Sequence, residues 1–255
     1  KQFEELVPKP VLGVVPYEKN LVVDEEDSIP KWSHSTESGA EEILNVAVIW
    51  TPRISNFTDL TPLAYDPCVS LSYINHTSQL NNPDLIILPG SKNTIEDLIY
   101  LKEQRILEKV LKCHHDGSLL LGICGGFQML GNTIRDPKNL ESKTSECAGL
   151  GLFDMDTTFV SDKLTRQIEL KTVKSRLFKK GLKCQGYEIH MGRTTFKSNY
   201  PSLFSRIEDE NAMNFGITNK NGTVIGTYLH GFFNNNPLRQ EFLSYIRLAR
   251  NIDNP

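Results

Sequence analysis

Ser118-Leu-Leu-Leu-Gly122-Ile-Cys124-Gly-Gly-Phe-Gln128-Met-Leu-Gly131 is the stretch that decides the fold. Leu119, Leu120, Leu121 and Ile123 form a short, continuous apolar run, the pattern of a strand covered on both faces. Gly122, Gly125 and Gly126 remove the side chains that would crowd a sharp strand-to-helix bend, so the run ends on an exposed thiol with a helix N-terminus beneath it. That setting favours a thiolate and leaves backbone N–H groups to face an oxyanion, two requirements of acyl transfer. A buried core cysteine is the alternative, but it would need neither the flanking glycines nor the bend.

Upstream of this stretch, Asn45-Val-Ala-Val-Ile-Trp50 predicts another buried strand. A helical region around 56–66, a short strand near 68–74 and a strand at 84–88 follow. One long amphipathic helix is expected at about 94–115, where Ile95, Leu98, Ile99, Leu101, Ile106, Leu107, Val110 and Leu111 recur at helical spacing. The alternation predicts an α/β protein with a mixed, mostly parallel sheet and helices on both faces. After Gly131 the pattern changes to alternating strands at 151–160, 167–173, 183–190 and 212–218, for which antiparallel pairing is expected. Asn219-Lys-Asn-Gly222 predicts a hairpin turn leading into Thr223–Leu229 and then His230. A closing helix is expected from Pro237 to Arg250, with proline at its first turn.

Residues 1–40 differ from the rest. Pro10–Tyr17 predicts a strand stopped by proline, Leu21–Pro30 is acidic and extended, and Lys31–Gly39 is a polar linker. This segment has too little apolar surface to fold alone, so the boundary is placed near residue 40, with one domain over 41–255. The N-terminus lacks the plan of a signal peptide and an initiator methionine, which suggests a start within a longer protein.

With 255 residues, 39% of them hydrophobic, the chain can bury a sizeable core, and a net charge of −3 without a basic block gives no expectation of nucleic-acid binding. No apolar run approaches the length of a membrane span. Five irregularly spaced cysteines without a C-x-x-C pair fit reduced thiols in a cytoplasmic protein better than a disulfide framework or a zinc site, and no metal site is expected.

Four groups of residues carry candidate chemistry. Cys124 and His230 each end an apolar strand, and strand ends converge at one edge of a parallel sheet, where they could meet as nucleophile and general base. A surface histidine after a strand is the alternative for His230. Leu88-Pro-Gly90-Ser91-Lys92-Asn93-Thr94 is a strand end and helix cap whose Gly90 or Ser91 could donate to an oxyanion together with Gly125, or could merely make a tight loop. Lys92 lacks Walker spacing. Gln128, one helical turn beyond Cys124, could hold an α-amino acid substrate or face solvent. Gly186-Tyr187-Glu188-Ile189-His190-Met191-Gly192 is either a site wall or a solvated strand, with Tyr187 and Ile189 on one face and Glu188 and His190 on the other.

Gly122-Ile-Cys124-Gly-Gly126-Phe-Gln128 resembles the G-x-C-x-G-x-Q nucleophile motif of class I glutamine amidotransferases, which have a flavodoxin-like fold. The 88–94, 186–192 and 226–232 segments resemble the cobyric acid synthase branch of that family, over roughly residues 45–250. Residues 10–17 and 25–28 resemble the end of the ATP-dependent synthetase domain that precedes the amidotransferase there. The resemblance implies that Cys124 attacks the glutamine amide to form a γ-glutamyl thioester, with His230 as acid and base. It implies further that ammonia passes to a synthetase using ATP and Mg²⁺ to amidate a corrinoid, adenosylcobyrinic acid a,c-diamide, in cobalamin synthesis. No cofactor is implied for this chain itself, which lacks a phosphate loop and should not complete that reaction alone. Many members carry Glu two residues after the histidine; this chain has Phe232, which leaves a Cys–His dyad with the imidazole oriented by a carbonyl or another carboxylate, for which Glu188 is the candidate. A cell-wall muramyl-peptide ligase partnership, a non-catalytic docking module and a thioesterase or peptidase remain alternatives, and self-association is left open.

Overall fold

The computed structural model describes residues 43–208 and 215–252, together with Gly13. The expected strand at 10–17, the linker and the boundary near residue 40 lie outside these residues. In chain order the elements are β1 (Leu44–Ile49), β2 (Ile54–Ser55), a 3₁₀ turn (Phe57–Leu60), α1 (Thr61–Ala64), β3 (Val69–Ile74), β4 (Leu85–Leu88) and β5 (Gly90–Ser91). Then come α2 (Thr94–Glu103), α3 (Ile106–His115), β6 (Leu119–Ile123), α4 (Gly125–Met129), β7 (Thr133–Arg135), β8 (Glu146–Ala148), β9 (Met155–Thr172) and β10 (Lys183–Phe196). The last are β11 (Phe204–Arg206), β12 (Gly216–Thr218), β13 (Val224–Thr227) and α5 (Asn236–Arg250).

The central sheet has the order β12-β13-β6-β4-β1-β3. Its β3, β1, β4, β6 and β13 run parallel, and β12 joins the β13 edge antiparallel. Counting only the parallel strands in chain order gives 2-1-3-4-5, the doubly wound flavodoxin-like arrangement. The chain leaves β1 toward β3 and then returns toward β4, so right-handed crossovers place the connecting helices on opposite faces. The fully buried β4 and β6 show why both read as continuous apolar runs. The winding reverses between β1 and β4, and a crevice opens there at the carboxyl ends of the strands. Among the described residues, no helix is long and apolar enough to cross a membrane.

The expected helix over 94–115 is two helices, broken at Gln104 and Arg105, where Arg105 takes a left-handed φ of 56°. At 100° per residue, the stripe Ile95/Leu98/Leu101 and the stripe Ile106/Leu107/Val110 would point roughly 130° apart on a continuous helix. The break turns both inward, and all six residues are buried.

The strands expected at 151–160 and 167–173 are one strand, β9, because the exposed polar residues 161–163 contain neither glycine nor proline to turn the chain. It pairs antiparallel with β10, which continues past His190 to Phe196. The antiparallel expectation holds for most of this second sheet, of order β10-β9-β7-β8 with β11 on β9; the exception is β7, which runs parallel to β9. The 219–222 turn does form, with Asn219 Oδ1 accepting the N–H groups of Thr223 and Val224. Its hairpin, however, belongs to the central sheet, where β13 pairs parallel with β6 and carries His230 to the crevice. Of the strand expected at 212–218, Gly216–Thr218 is the part among the described residues.

Candidate active site

Four adjacent strands deliver residues to one edge of the sheet. Asn56 and Asp59 follow β1, Gly90 and Ser91 follow β4, Cys124 follows β6, and His230 follows β13. The β1 and β4 loops are tied to each other through the β2–β5 pair. That tie carries Asp59 across the edge toward His230.

Cys124 is the pivot between β6 and α4, at φ 51° and ψ −105°, a strained backbone for a residue with a Cβ. Its own N–H bonds to Thr227 O at 2.8 Å and its carbonyl accepts from Gln128 N at 3.0 Å, so both sides of the bend are pinned. Gly126 is dictated by close approach: a Cβ there would lie 1.9 Å from the Leu88 carbonyl oxygen. Because α4 is only five residues long, the bend supplies mainly the N–H groups of a first turn, which have no intrahelical partners, rather than the field of a long helix. Gly125 lies against the β4 loop, where an added Cβ would be 3.0 Å from Ser91 N. The structure thus brings Gly125 and Ser91 together beside the thiol. The Ser91 side chain is engaged elsewhere, donating to Asp97 Oδ2 at 2.6 Å.

His230 is buried, and its Nδ1 lies 2.6 Å from Asp59 Oδ2. The other oxygen of Asp59 accepts the Gly231 N–H at 2.8 Å. Tyr187 stacks on the imidazole with ring centroids 5.0 Å apart, and its hydroxyl accepts from Asn56 Nδ2 at 2.8 Å. Two backbone hydrogen bonds, Tyr187 N to His230 O and His230 N to Tyr187 O, hold the rings in place. Burial pushes the imidazole pKa down, but hydrogen bonding and charge from Asp59 and Cys124 outweigh this and hold it up at about 10. The Nε2 atom is buried without a well-aligned hydrogen-bond partner, and Cys124 Sγ turns instead toward the Ile189 carbonyl at 3.5 Å. The thiol is therefore near enough to act on the ring's charge, without the alignment of a formed bond.

Glu188 does not orient His230, contrary to expectation. It is buried and paired with Arg166 Nε at 2.6 Å. Asp59 holds the position next to the ring. The sequence signal for it was faint: Asp59 is the sole charged residue between Arg53 and Asp66. Gln128 is buried, not solvent-facing, and its Oε1 accepts from Thr94 Oγ1 at 3.2 Å. The 186–192 segment is a wall of the site. The pairing of β10 with β9 is interrupted by a register shift between His190 and Gly192, and Ile189, His190 and Met191 all line the cavity.

These residues enclose a cavity of about 370 Å³, lined by Cys124, Gln128, Ser91, Asn56, Glu141 and His190 among others. Its size is at the small end for small-molecule sites. Among the described residues there is no group of three His, Cys, Asp or Glu side chains able to hold a metal ion.

A doubly wound sheet that sets a thiol elbow and a buried histidine at its carboxyl edge is the architecture expected of a class I glutamine amidotransferase. The chain belongs, more narrowly, to the CobB/CobQ-like glutamine amidotransferase domain family, which it matches over residues 45–238. It is 42% identical over 256 residues to a cobyric acid synthase of Clostridium novyi, a match covering 99% of this chain and 49% of that protein. The chain therefore spans about half the length of the curated relatives it matches. In fold it is similar to a solved PurLQS structure from Thermotoga maritima, with a TM-score of 0.62 at 19% identity, covering 80% of this chain and 99% of that one. A solved glutamine amidotransferase gives a TM-score of 0.56 at 15% identity, covering 81% and 99%.

Proposed function

We propose that this domain hydrolyses glutamine to glutamate and ammonia at Cys124, and that the ammonia serves an ATP-dependent synthetase that amidates a corrinoid on the route to cobalamin. The observation that carries the reading is the order Asp59–His230–Cys124: a carboxylate on Nδ1, a buried and unpaired Nε2, and a thiol on a strained elbow beside it.

The chemistry follows from those positions. Asp59 fixes one proton of His230 on Nδ1 and stabilises the imidazolium that forms as Nε2 takes the thiol proton. The sulfur attacks the carboxamide carbon of glutamine, and the carbonyl electrons move to oxygen. That oxyanion would be met by backbone N–H groups at Gly125 and the Gly90–Ser91 turn. Collapse expels the amine, which takes the Nε2 proton and leaves as ammonia. Neutral His230 then removes a proton from water as it attacks the γ-glutamyl thioester, and glutamate and the thiol are restored.

ATP and Mg²⁺ belong in this reading to the synthetase portion, of which residues 1–40 would be the C-terminal remnant, and adenosylcobyrinic acid a,c-diamide would be the acceptor. Similarity to cobyric acid synthases along 99% of the chain supports that partnership over a muramyl-peptide ligase. Five free cysteines, none disulfide-bonded, support a cytoplasmic setting. The test is glutamate release by this chain and by the full-length protein that contains it, with Cys124→Ala in each. Loss of release in the variants is expected, with the parent chain weaker alone than in its full-length context. A Cys124→Ala variant that keeps the parent rate would refute the nucleophile.

A further inference from the structure

Among the groups lining the cavity, Glu141 has no part in the steps above. It sits in the loop between β7 and β8, and that loop is built with unusual care. The fully buried carboxylate of Asp136 accepts the N–H groups of Leu140, Glu141 and Ser142 at 2.8, 2.9 and 3.0 Å. Ser142 Oγ donates to Glu96 Oε1 at 2.6 Å, and Asn93 Nδ2 donates to the Glu141 carbonyl, so the loop is also fastened to the start of α2. The Thr94 backbone N–H hydrogen-bonds the Glu141 carboxylate. Its Oε2, by contrast, is closed off from bulk water and has no partner.

A buried acceptor left without a donor is costly, and for this one, on a residue that lines the cavity, a donor on a bound ligand would remove the cost. The terminal torsion of a glutamate is soft, so Oε2 can turn to the cavity while the backbone stays clamped. Burial raises the Glu141 pKa to about 7, the Thr94 N–H and Lys163 opposing and Asp136 adding to the rise, which leaves the group ready to ionise when a cation arrives. The occupant must be small, must bring a carboxamide to Cys124, and must offer a positive donor to Glu141.

Building on the glutaminase reading, we infer that Glu141 receives the α-ammonium group of the substrate, so that the site selects a free amino acid over acylated, peptide-linked or deaminated glutamine. Glu141 is a specificity residue in this arrangement and takes no part in bond making.

The test uses the Cys124→Ala form of the full-length protein, which cannot turn substrate over, and measures calorimetric affinity for glutamine and for glutaramate, which keeps the carboxamide and carboxylate but lacks the amino group. The parent should prefer glutamine by about 10- to 100-fold, and Glu141→Gln should reduce that preference to within about threefold while leaving glutaramate affinity unchanged. If Glu141→Gln keeps the preference, or weakens both ligands equally, the inference is wrong and the glutaminase reading stands. If the parent binds glutamine no better than glutaramate, the inference is likewise overturned. If the parent binds neither, the substrate reading fails and the inference with it.

Discussion

Asp59→Asn is the most informative substitution, because it keeps the shape of the side chain and changes one atom facing His230. In the parent, Asp59 Oδ2 accepts from Nδ1 and Oδ1 accepts from the Gly231 N–H. An Asn retains the Gly231 bond through its oxygen and turns its NH₂ toward Nδ1. The ring must then accept at Nδ1 and carry its proton on Nε2, the tautomer that cannot deprotonate anything at the thiol. The rise of the imidazole pKa from 6.5 to about 10 corresponds to about 5 kcal/mol of preference for the charged ring in the folded state, and Asp59 and Cys124 share it. A few kcal/mol assigned to Asp59 predicts a fall in kcat/KM of about 10²- to 10⁴-fold. NMR titration of the His230 ring should show its pKa dropping by several units in the variant. The sign of the stability effect follows from linkage: a raised imidazole pKa stabilises the fold fully below about pH 6.5, and that contribution is lost as pH rises through about 10. Parent and variant should therefore differ most in denaturant midpoint below pH 6.5 and converge near pH 10 and above. A variant with full activity and an unchanged His230 titration would refute the assignment of Asp59.

Glu188→Gln breaks the pair with Arg166 but touches nothing on His230, so the His230 titration should be unchanged and glutamate release should stay within about threefold of the parent; a collapse of the titration would return Glu188 to the orienting role. Cys124→Gly relieves a backbone at φ 51° and should raise stability by about 1 kcal/mol, or about 2–4 °C in Tm, while abolishing activity. A lowered Tm in calorimetry would show that the elbow is not strained. Gly126→Ala sets a Cβ 1.9 Å from the Leu88 carbonyl oxygen, where no side chain can yield, and should cost about 3 kcal/mol or more by urea denaturation.

Much of the central sheet was legible because its information is local. Each apolar run of four to six residues in β1, β4 and β6 is a strand covered on both faces, and the glycines after β6 can be read as room for a bend. The misread helix at 94–115 shows where locality fails, since helical spacing survived in each half while the phase between the halves did not. The break is visible only once both stripes must face the same core. The long β9 went unseen for a related reason: its exposed middle at 161–163 reads as a loop, and β10 leaves those residues unpaired while its ladder holds the strand on either side of them.

The sequence by itself determined the parallel α/β class, the thiol at the end of β6 and the histidine at the end of β13, because each follows from a strand pattern and its immediate neighbours. Only the tertiary structure decided what stands beside them. Asp59 reaches His230 across 171 residues of chain because the β1 loop is pinned to the β4 loop at the carboxyl edge. Glu141 enters the cavity because Asp136 and the start of α2 clamp its loop. A carboxylate's partner is set by strand order and loop ties, and nothing in the spacing of residues along the chain encodes that choice.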